Sequence, residues 1–135
     1  MARTRILLAD DHAAMHDEVR ALLNGDYEIV GAVQNGKTLV EAAQELKPDL
    51  IISDISMPVM TGFEAAAKIR ELGLAPKLIF LTVQSGPAYV RKARGLGAEG
   101  YVLKVYTHEQ LAAAVSAVLS GKSYISPQLK ASGRD

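Results

Sequence analysis

Five polar side chains of this 135-residue chain stand at or just after the ends of short apolar runs. They are three carboxylates, one hydroxyl and one ammonium group: Asp10, Asp11, Asp54, Thr82 and Lys104. If the fold brings the carboxylates together, they repel one another unless a cation offsets their charge. Hard oxygen donors suit Mg²⁺, which proteins hold with one or two carboxylates, waters and a phosphate. The pattern therefore predicts a site for Mg²⁺ and a phosphoryl group.

Asp54 is the candidate reacting group, because an aspartate beside bound Mg²⁺ can attack a phosphorus centre and become an aspartyl phosphate. Lys104 would neutralise a phosphoryl oxygen as negative charge accumulates in the transition state, and Thr82 would donate its hydroxyl to another. Each residue alone has a simpler interpretation. Asp10 or Asp11 would cap the helix that follows, and Thr82 and Lys104 would be ordinary strand-end residues. The combination is what indicates chemistry.

Two periodicities predict the elements that position these groups. Five short apolar runs, rich in branched residues and without polar alternation, are typical of buried parallel strands. They are residues 6–9, 27–33, 50–53, 78–83 and 100–103. The segments between them carry apolar residues at helical spacing, as at Leu111, Val115 and Val118. The predicted order is βαβαβαβαβα.

Residue types at the helix boundaries support this order. Thr61 with Glu64, and Thr107 with Gln110, have the spacing of a capping box, in which a hydroxyl and a carboxyl or amide group satisfy the first free amides. Gly121 is a helix stop signal at the end of the last helical segment. We therefore expect helices to begin near Thr61 and Thr107.

Right-handed crossovers between parallel strands restrict this order to an α/β, doubly wound (βα)5 three-layer sandwich. Five strands predict the flavodoxin-like sheet order 2-1-3-4-5. In such sheets ligands bind at the carboxyl ends of the strands, where the order reverses between strands one and three. That rule places all five polar side chains at one edge. The expected division is a domain over residues 1–121 and a polar tail, or the start of a linker, over residues 122–135.

Composition excludes several classes of protein. Fifteen basic and fifteen acidic residues cancel, so the chain has no overall positive charge that would hold nucleic acid. It has no cysteine, and its three histidines are too scattered to indicate a histidine metal site. No apolar stretch is long enough to span a bilayer. We expect one compact cytoplasmic domain that binds neither DNA nor membrane on its own.

Over residues 3 to about 121 the sequence resembles the receiver domain of two-component response regulators, most closely the NarL/FixJ-type subfamily. The resemblance rests on separated motifs in the right order. They are Leu-Leu-Ala-Asp-Asp-His at 7–12, Asp-Leu-Ile-Ile-Ser-Asp-Ile-Ser-Met-Pro at 49–58 with Gly62, Leu-Thr at 81–82, and Gly-Ala-Glu-Gly-Tyr-Val-Leu-Lys at 97–104.

The resemblance implies roles for particular residues. Asp54 would accept the phosphoryl group from a sensor histidine kinase, so the chemistry would act on the protein itself and not on an external substrate. Asp10, Asp11 and Asp54, with the backbone carbonyl of Ser56, would hold Mg²⁺. Lys104 and Thr82 would assist at the phosphoryl oxygens.

The resemblance also implies a switch. Thr82 and Tyr101 would respond to phosphorylation and reshape the face formed by the fourth helix, the fifth strand and the fifth helix. That face could support a homodimer. Members of the subfamily usually continue into a helix-turn-helix DNA-binding domain, which these 135 residues do not contain, so transcription regulation would depend on a part absent here.

Three other functions remain open from the sequence. Val83 and Gln84 follow Thr82, where a bulky side chain could crowd the site, so a phosphorylation-independent docking or dimerisation module is the main alternative. A haloacid-dehalogenase-type phosphohydrolase is disfavoured because Ser56 occupies the position of its second acid. A flavin-binding flavodoxin is disfavoured by the acidic residues at the site and the absence of Trp.

Overall fold

The computed structural model describes residues 3–129. Its regular elements alternate along the chain as predicted, with one addition at the C-terminal end. They are β1 (Arg5–Ala9), α1 (Ala13–Leu23), β2 (Glu28–Val33), α2 (Gly36–Leu46), β3 (Leu50–Ser53), α3 (Gly62–Glu71), β4 (Lys77–Thr82), α4 (Pro87–Gly95), β5 (Gly100–Leu103), a 3₁₀ turn (Lys104–Tyr106), α5 (Thr107–Leu119) and β6 (Tyr124–Ile125).

The strands form one parallel sheet in the order β2-β1-β3-β4-β5-β6. This confirms the flavodoxin-like order 2-1-3-4-5 that the sequence predicts. The short sixth strand, which the sequence analysis does not predict, pairs with β5 and extends the sheet at that edge. The order reverses beside β1, and the carboxyl ends of β1 and β3 are neighbours there.

Both faces of the sheet are buried at the four central strands β1, β3, β4 and β5, which explains why those strand sequences lack polar alternation. Along β1, Ile6 and Leu8 pack in the core beneath α1 and α5, whereas Leu7 and Ala9 pack in the core beneath α2 and α3. Successive residues of a strand point to opposite faces, so one apolar run supplies two cores. The result is the predicted three-layer sandwich.

One predicted capping box is confirmed and the other is wrong. Thr61 Oγ1 accepts from the Glu64 amide at 3.1 Å, and the Glu64 carboxylate accepts from the Thr61 amide at 2.9 Å, as the spacing predicts. At α5 the 3₁₀ turn runs directly into the helix. The residue before the helix is therefore Tyr106, and its side chain makes no capping hydrogen bond. Thr107 Oγ1 donates to the Lys104 carbonyl instead, at 2.6 Å, so it joins the start of α5 to the 3₁₀ turn that follows β5.

Part of the predicted polar tail packs against the domain. Residues 124–125 form β6, Ser126 is completely buried and Leu129 lies in the core beneath α2, α3 and α4. Residues 130–135 lie outside the described part of the chain. Within residues 3–129, none of the helices has both the length and the apolar character needed to cross a membrane.

Candidate phosphoryl site

Three charged side chains meet at the carboxyl edge of the sheet. Asp10 follows β1, Asp54 follows β3, and Lys104 follows β5. The Lys104 Nζ lies 2.8 Å from Asp10 Oδ2 and 2.8 Å from Asp54 Oδ2. Asp10 and Asp54 are buried, with exposed fractions of 5% and 4%. The topology thus brings together residues that are 44 and 50 positions apart, as the sequence predicts.

Hydrogen bonds to neighbouring backbone groups fix both the backbone and the side chain of Asp54. Its amide donates to the Ala9 carbonyl at 2.9 Å, and its Oδ1 accepts from the Ile55 amide at 2.7 Å. The Gly62 amide donates to the Ile55 carbonyl at 2.8 Å, so the start of α3 lies directly against this turn. A Cβ at Gly62 would collide with the Asp54 carbonyl oxygen. Gly62 is therefore required by the close approach of two backbone segments.

Asp11 and His12 stand at the outer rim of the same site. One ligand atom from each of Asp10, Asp11, His12 and Asp54 lies within 4.8 Å of the others. His12 Nδ1 is 3.1 Å from Asp11 Oδ1 and 3.2 Å from Asp10 Oδ1, and its side chain is 69% exposed. His12 is a site residue that was not predicted from the sequence. The Asp-Asp-His run at the end of the first strand is the signal that points to it.

The residues at this edge fit a divalent cation. Three carboxylates converge, and Lys104 supplies only one positive charge among them, so their repulsion is only partly offset. Asp11 is exposed, which leaves room for the waters that Mg²⁺ keeps when it binds. Hard oxygen donors of this kind favour Mg²⁺ over softer metals.

The charge of Lys104 is stabilised at this position. Burial alone would lower the pKa of Lys104, but its hydrogen bonds to Asp10 and Asp54 and their negative charge outweigh that effect and raise the pKa above its ordinary value. The ammonium group is therefore charged at neutral pH. It is placed to contact an anionic group attached to Asp54.

Thr82 and Tyr101 lie on adjacent strands and meet at Gln84. Thr82 is fully buried, and its Oγ1 accepts from the Gln84 amide at 3.3 Å. The ring of Tyr101 is buried, and its hydroxyl donates to the Gln84 carbonyl at 2.7 Å. Burial, then the nearby Tyr89 and Asp54, raise the pKa of Tyr101, which keeps this hydroxyl protonated. One residue of the β4–α4 loop thus connects both predicted switch residues.

The loops after β3 and β4 also touch each other. Gln84 Nε2 donates at 3.3 Å to the Oγ of Ser56, which lies on the loop that follows Asp54. Val83, which from its position after Thr82 could crowd the site, has 68% of its surface exposed. The metal-ligand role predicted for the Ser56 carbonyl stays a prediction.

Comparison with known proteins agrees with this architecture. A family model described as the response regulator receiver domain matches residues 6–116. The transcriptional regulatory protein DesR of Bacillus subtilis is 36% identical over 126 residues, which are 92% of this chain and 62% of DesR. The nitrate/nitrite response regulator protein NarL of Escherichia coli is 36% identical over 92% of this chain and 58% of NarL.

Solved structures give the same result. The crystal structure of a two-component response regulator of the LuxR family from Aurantimonas superposes with a TM-score of 0.89 at 30% identity, covering 96% of this chain and 94% of that one. The chain spans less than two thirds of the length of DesR and NarL. Because the family model covers most of the sequence, the chain belongs to the receiver domain family of two-component response regulators.

Proposed function

We propose that this receiver domain accepts a phosphoryl group on Asp54 from a histidine kinase, with Mg²⁺ bound by Asp10, Asp11 and Asp54. The observation that carries the proposal is the Lys104 ammonium, 2.8 Å from both the Asp10 and the Asp54 carboxylate at the carboxyl edge of the sheet. A purely structural ion pair needs one carboxylate. A second buried carboxylate beside the first lowers the stability of the fold, because its charge is desolvated and repels its neighbour. A binding function at this site explains why both carboxylates are present.

The reaction requires little covalent participation by other residues. An Asp54 carboxylate oxygen forms a bond to phosphorus as the bond from phosphorus to the histidine nitrogen of the kinase breaks, and that nitrogen keeps the electron pair. Lys104 contacts a phosphoryl oxygen and stabilises the charge that develops on it. Thr82, adjacent on β4, donates its hydroxyl to another oxygen. Bound Mg²⁺ would supply further charge neutralisation and orientation of the phosphoryl oxygens.

The test is the intact mass of the chain after incubation with acetyl phosphate, with and without Mg²⁺. We expect a gain of one phosphoryl group that depends on the metal. If no adduct forms, a titration with beryllium fluoride tests whether a short-lived phosphate escaped detection. Failure of both reagents would contradict the proposal and favour the phosphorylation-independent docking module.

Replacing Lys104 by Ala is expected to slow labelling by acetyl phosphate about 100-fold, because one positive group that contacts the phosphoryl oxygens is lost. We expect beryllium fluoride to change the tyrosine fluorescence of the unmodified chain, because Tyr101 is close to the site. Lys104→Ala should abolish that change, because the group that contacts the bound anion is lost. The measurement is a time course of intact mass together with a fluorescence titration.

Lys122→Ala is the matched control for that variant, because Lys122 is an exposed lysine after α5. It should label and respond as the unmodified chain does. A Lys104→Ala protein that labels at the normal rate, or that keeps the full fluorescence change, would contradict the role of Lys104.

The names of the relatives support a proposal about the whole protein of which this domain would be a part. DesR is by its name a transcriptional regulatory protein, and this chain spans 62% of its length. We propose that the domain acts within a transcription regulator, in the cytoplasm, whose DNA-binding part lies outside these residues. The domain itself would act on no other substrate and would not bind DNA alone.

The same proposal includes a homodimer through the face formed by α4, β5 and α5. Ala93 is the one buried residue of helix α4, and Arg91, Lys92 and Arg94 are exposed on it. We expect beryllium fluoride with Mg²⁺ to shift the sedimentation coefficient toward that of a dimer. An unchanged profile at saturating reagent would contradict this interface.

A further inference from the structure

The outer edge of β5 is covered by residues 124–129, which we call the C-terminal strap. The Tyr124 amide donates to the Glu99 carbonyl at 3.0 Å, and the Ser126 amide donates to the Tyr101 carbonyl at 2.9 Å. The strap therefore binds the backbone of β5, the strand that carries Tyr101 and ends at Leu103, one residue before Lys104. Its last described residue, Leu129, is buried in the core.

Ser126 is the centre of this attachment. The residue is completely buried, and its hydroxyl uses both of its hydrogen-bonding functions. Its Oγ accepts from the Leu103 amide at 3.0 Å and donates to Gln110 Oε1 at 2.6 Å. Gln110 Nε2 in turn donates to Gln128 Oε1 at 2.8 Å, which fixes the strap a second time to α5.

The hydrogen bond of Ser126 reaches Leu103, the residue that precedes Lys104. The Leu103 amide is held by Ser126, and the Lys104 carbonyl accepts from Thr107 Oγ1 at 2.6 Å. The side chain of Lys104 reaches from this anchored backbone to Asp10 and Asp54. The backbone at the end of β5 is therefore bonded to the strap, and the side chain of Lys104, the next residue, is bonded to Asp10 and Asp54.

We propose that Ser126 is a positioning residue that couples Lys104 to the C-terminal strap. Through this coupling, phosphorylation of Asp54 changes the structure of residues 124–129. The proposal rests on the proposed function, in which Asp54 gains a phosphoryl group. That group draws the Lys104 ammonium from the position it shares with Asp10. The backbone of Leu103 and Lys104 follows, and the Ser126 hydroxyl transfers the shift to residues 124–129.

Amide hydrogen exchange of the whole 135-residue chain tests this coupling. Exchange is compared with Mg²⁺ alone and with Mg²⁺ and beryllium fluoride, which stands in for the phosphoryl group. We expect the exchange rates of the Ser126 and Leu129 amides to change by about tenfold, which corresponds to one ordinary hydrogen bond. In Ser126→Ala that change should disappear, while beryllium fluoride still binds, as read from its bound ¹⁹F signal.

Ser123→Ala is the matched control, because Ser123 is exposed in the same segment. It should keep the full change. If Ser126→Ala does not fold, Gln110→Ala, which removes the Ser126 and Gln128 contacts on α5, should reduce the change instead. A merely structural serine would lower stability without altering the response to beryllium fluoride.

Three results would overturn the proposal, and they distinguish failure of the coupling from failure of the proposed function. If beryllium fluoride binds but the exchange of the strap is unchanged, or if Ser126→Ala responds fully, Ser126 does not couple the two regions and the proposed function stands. If beryllium fluoride does not bind, with no ¹⁹F signal and no change at the Ile55 amide, the proposed function fails and the coupling fails with it.

Discussion

Asp54→Asn is expected to reduce phosphoryl labelling by acetyl phosphate by about 100-fold or more relative to the unmodified chain, because a neutral amide oxygen is a poor nucleophile. The side chain keeps its shape, so its oxygen can still accept from the Ile55 amide at the position of Oδ1. Lys104 keeps its ion pair with Asp10. The fold should therefore be retained, and intact mass after incubation with acetyl phosphate and Mg²⁺ is the measurement.

Asp17→Asn is the control for this variant. Asp17 is an exposed aspartate on α1 that is not part of the cluster of Asp10, Asp11, His12 and Asp54, and the same change there also removes one negative charge. It should label as the unmodified chain does. Labelling of Asp54→Asn at equal stoichiometry would show that another carboxylate, such as Asp10 or Asp11, accepts the group.

Much of the fold and of the site follows from local sequence. The runs at 50–53 and 100–103 are buried at every position, and Ser53 is the one short polar side chain among otherwise largely apolar residues. Such a lack of polar alternation is typical of central parallel strands, whose two faces are both covered. Once the strands are parallel, their carboxyl ends share an edge. The meeting of Asp10, Asp54 and Lys104 then follows from topology without any knowledge of side-chain contacts.

The parts that the sequence does not predict depend on distant partners. Strand β6 has two residues, too few to show a period, and it exists because the edge of β5 is free to pair. Ser126 is buried because the Leu103 amide and the Gln110 side chain need its hydroxyl. Thr107 has capping-box spacing, but the preceding 3₁₀ turn places it inside the helix.

The reason for glycine at position 62 also depends on a distant partner. Its position in a family motif identifies it, but a single sequence does not state why glycine is needed. The structure gives the reason: a Cβ would meet the carbonyl oxygen of Asp54 and approach the Ile55 backbone. The constraint lies between α3 and the end of β3, so local propensity at either element does not contain it.

Gly62→Ala is therefore expected to lower the free energy of unfolding by about 3 kcal/mol, because backbone atoms must move to admit one methyl group. The displaced segment includes Asp54, so labelling by acetyl phosphate should fall as well. Urea unfolding followed by circular dichroism gives the first quantity and intact mass gives the second.

Gly95→Ala is the matched control, because the same methyl group at the end of α4 would meet no atom within 4 Å. Alanine has the higher helix propensity, so this variant should be as stable as the unmodified chain or up to about 1 kcal/mol more stable. It should also label normally. If Gly62→Ala unfolds at the same urea concentration as Gly95→Ala, the close approach of α3 to Asp54 is not a constraint on the fold, and the glycine must be explained by something other than packing.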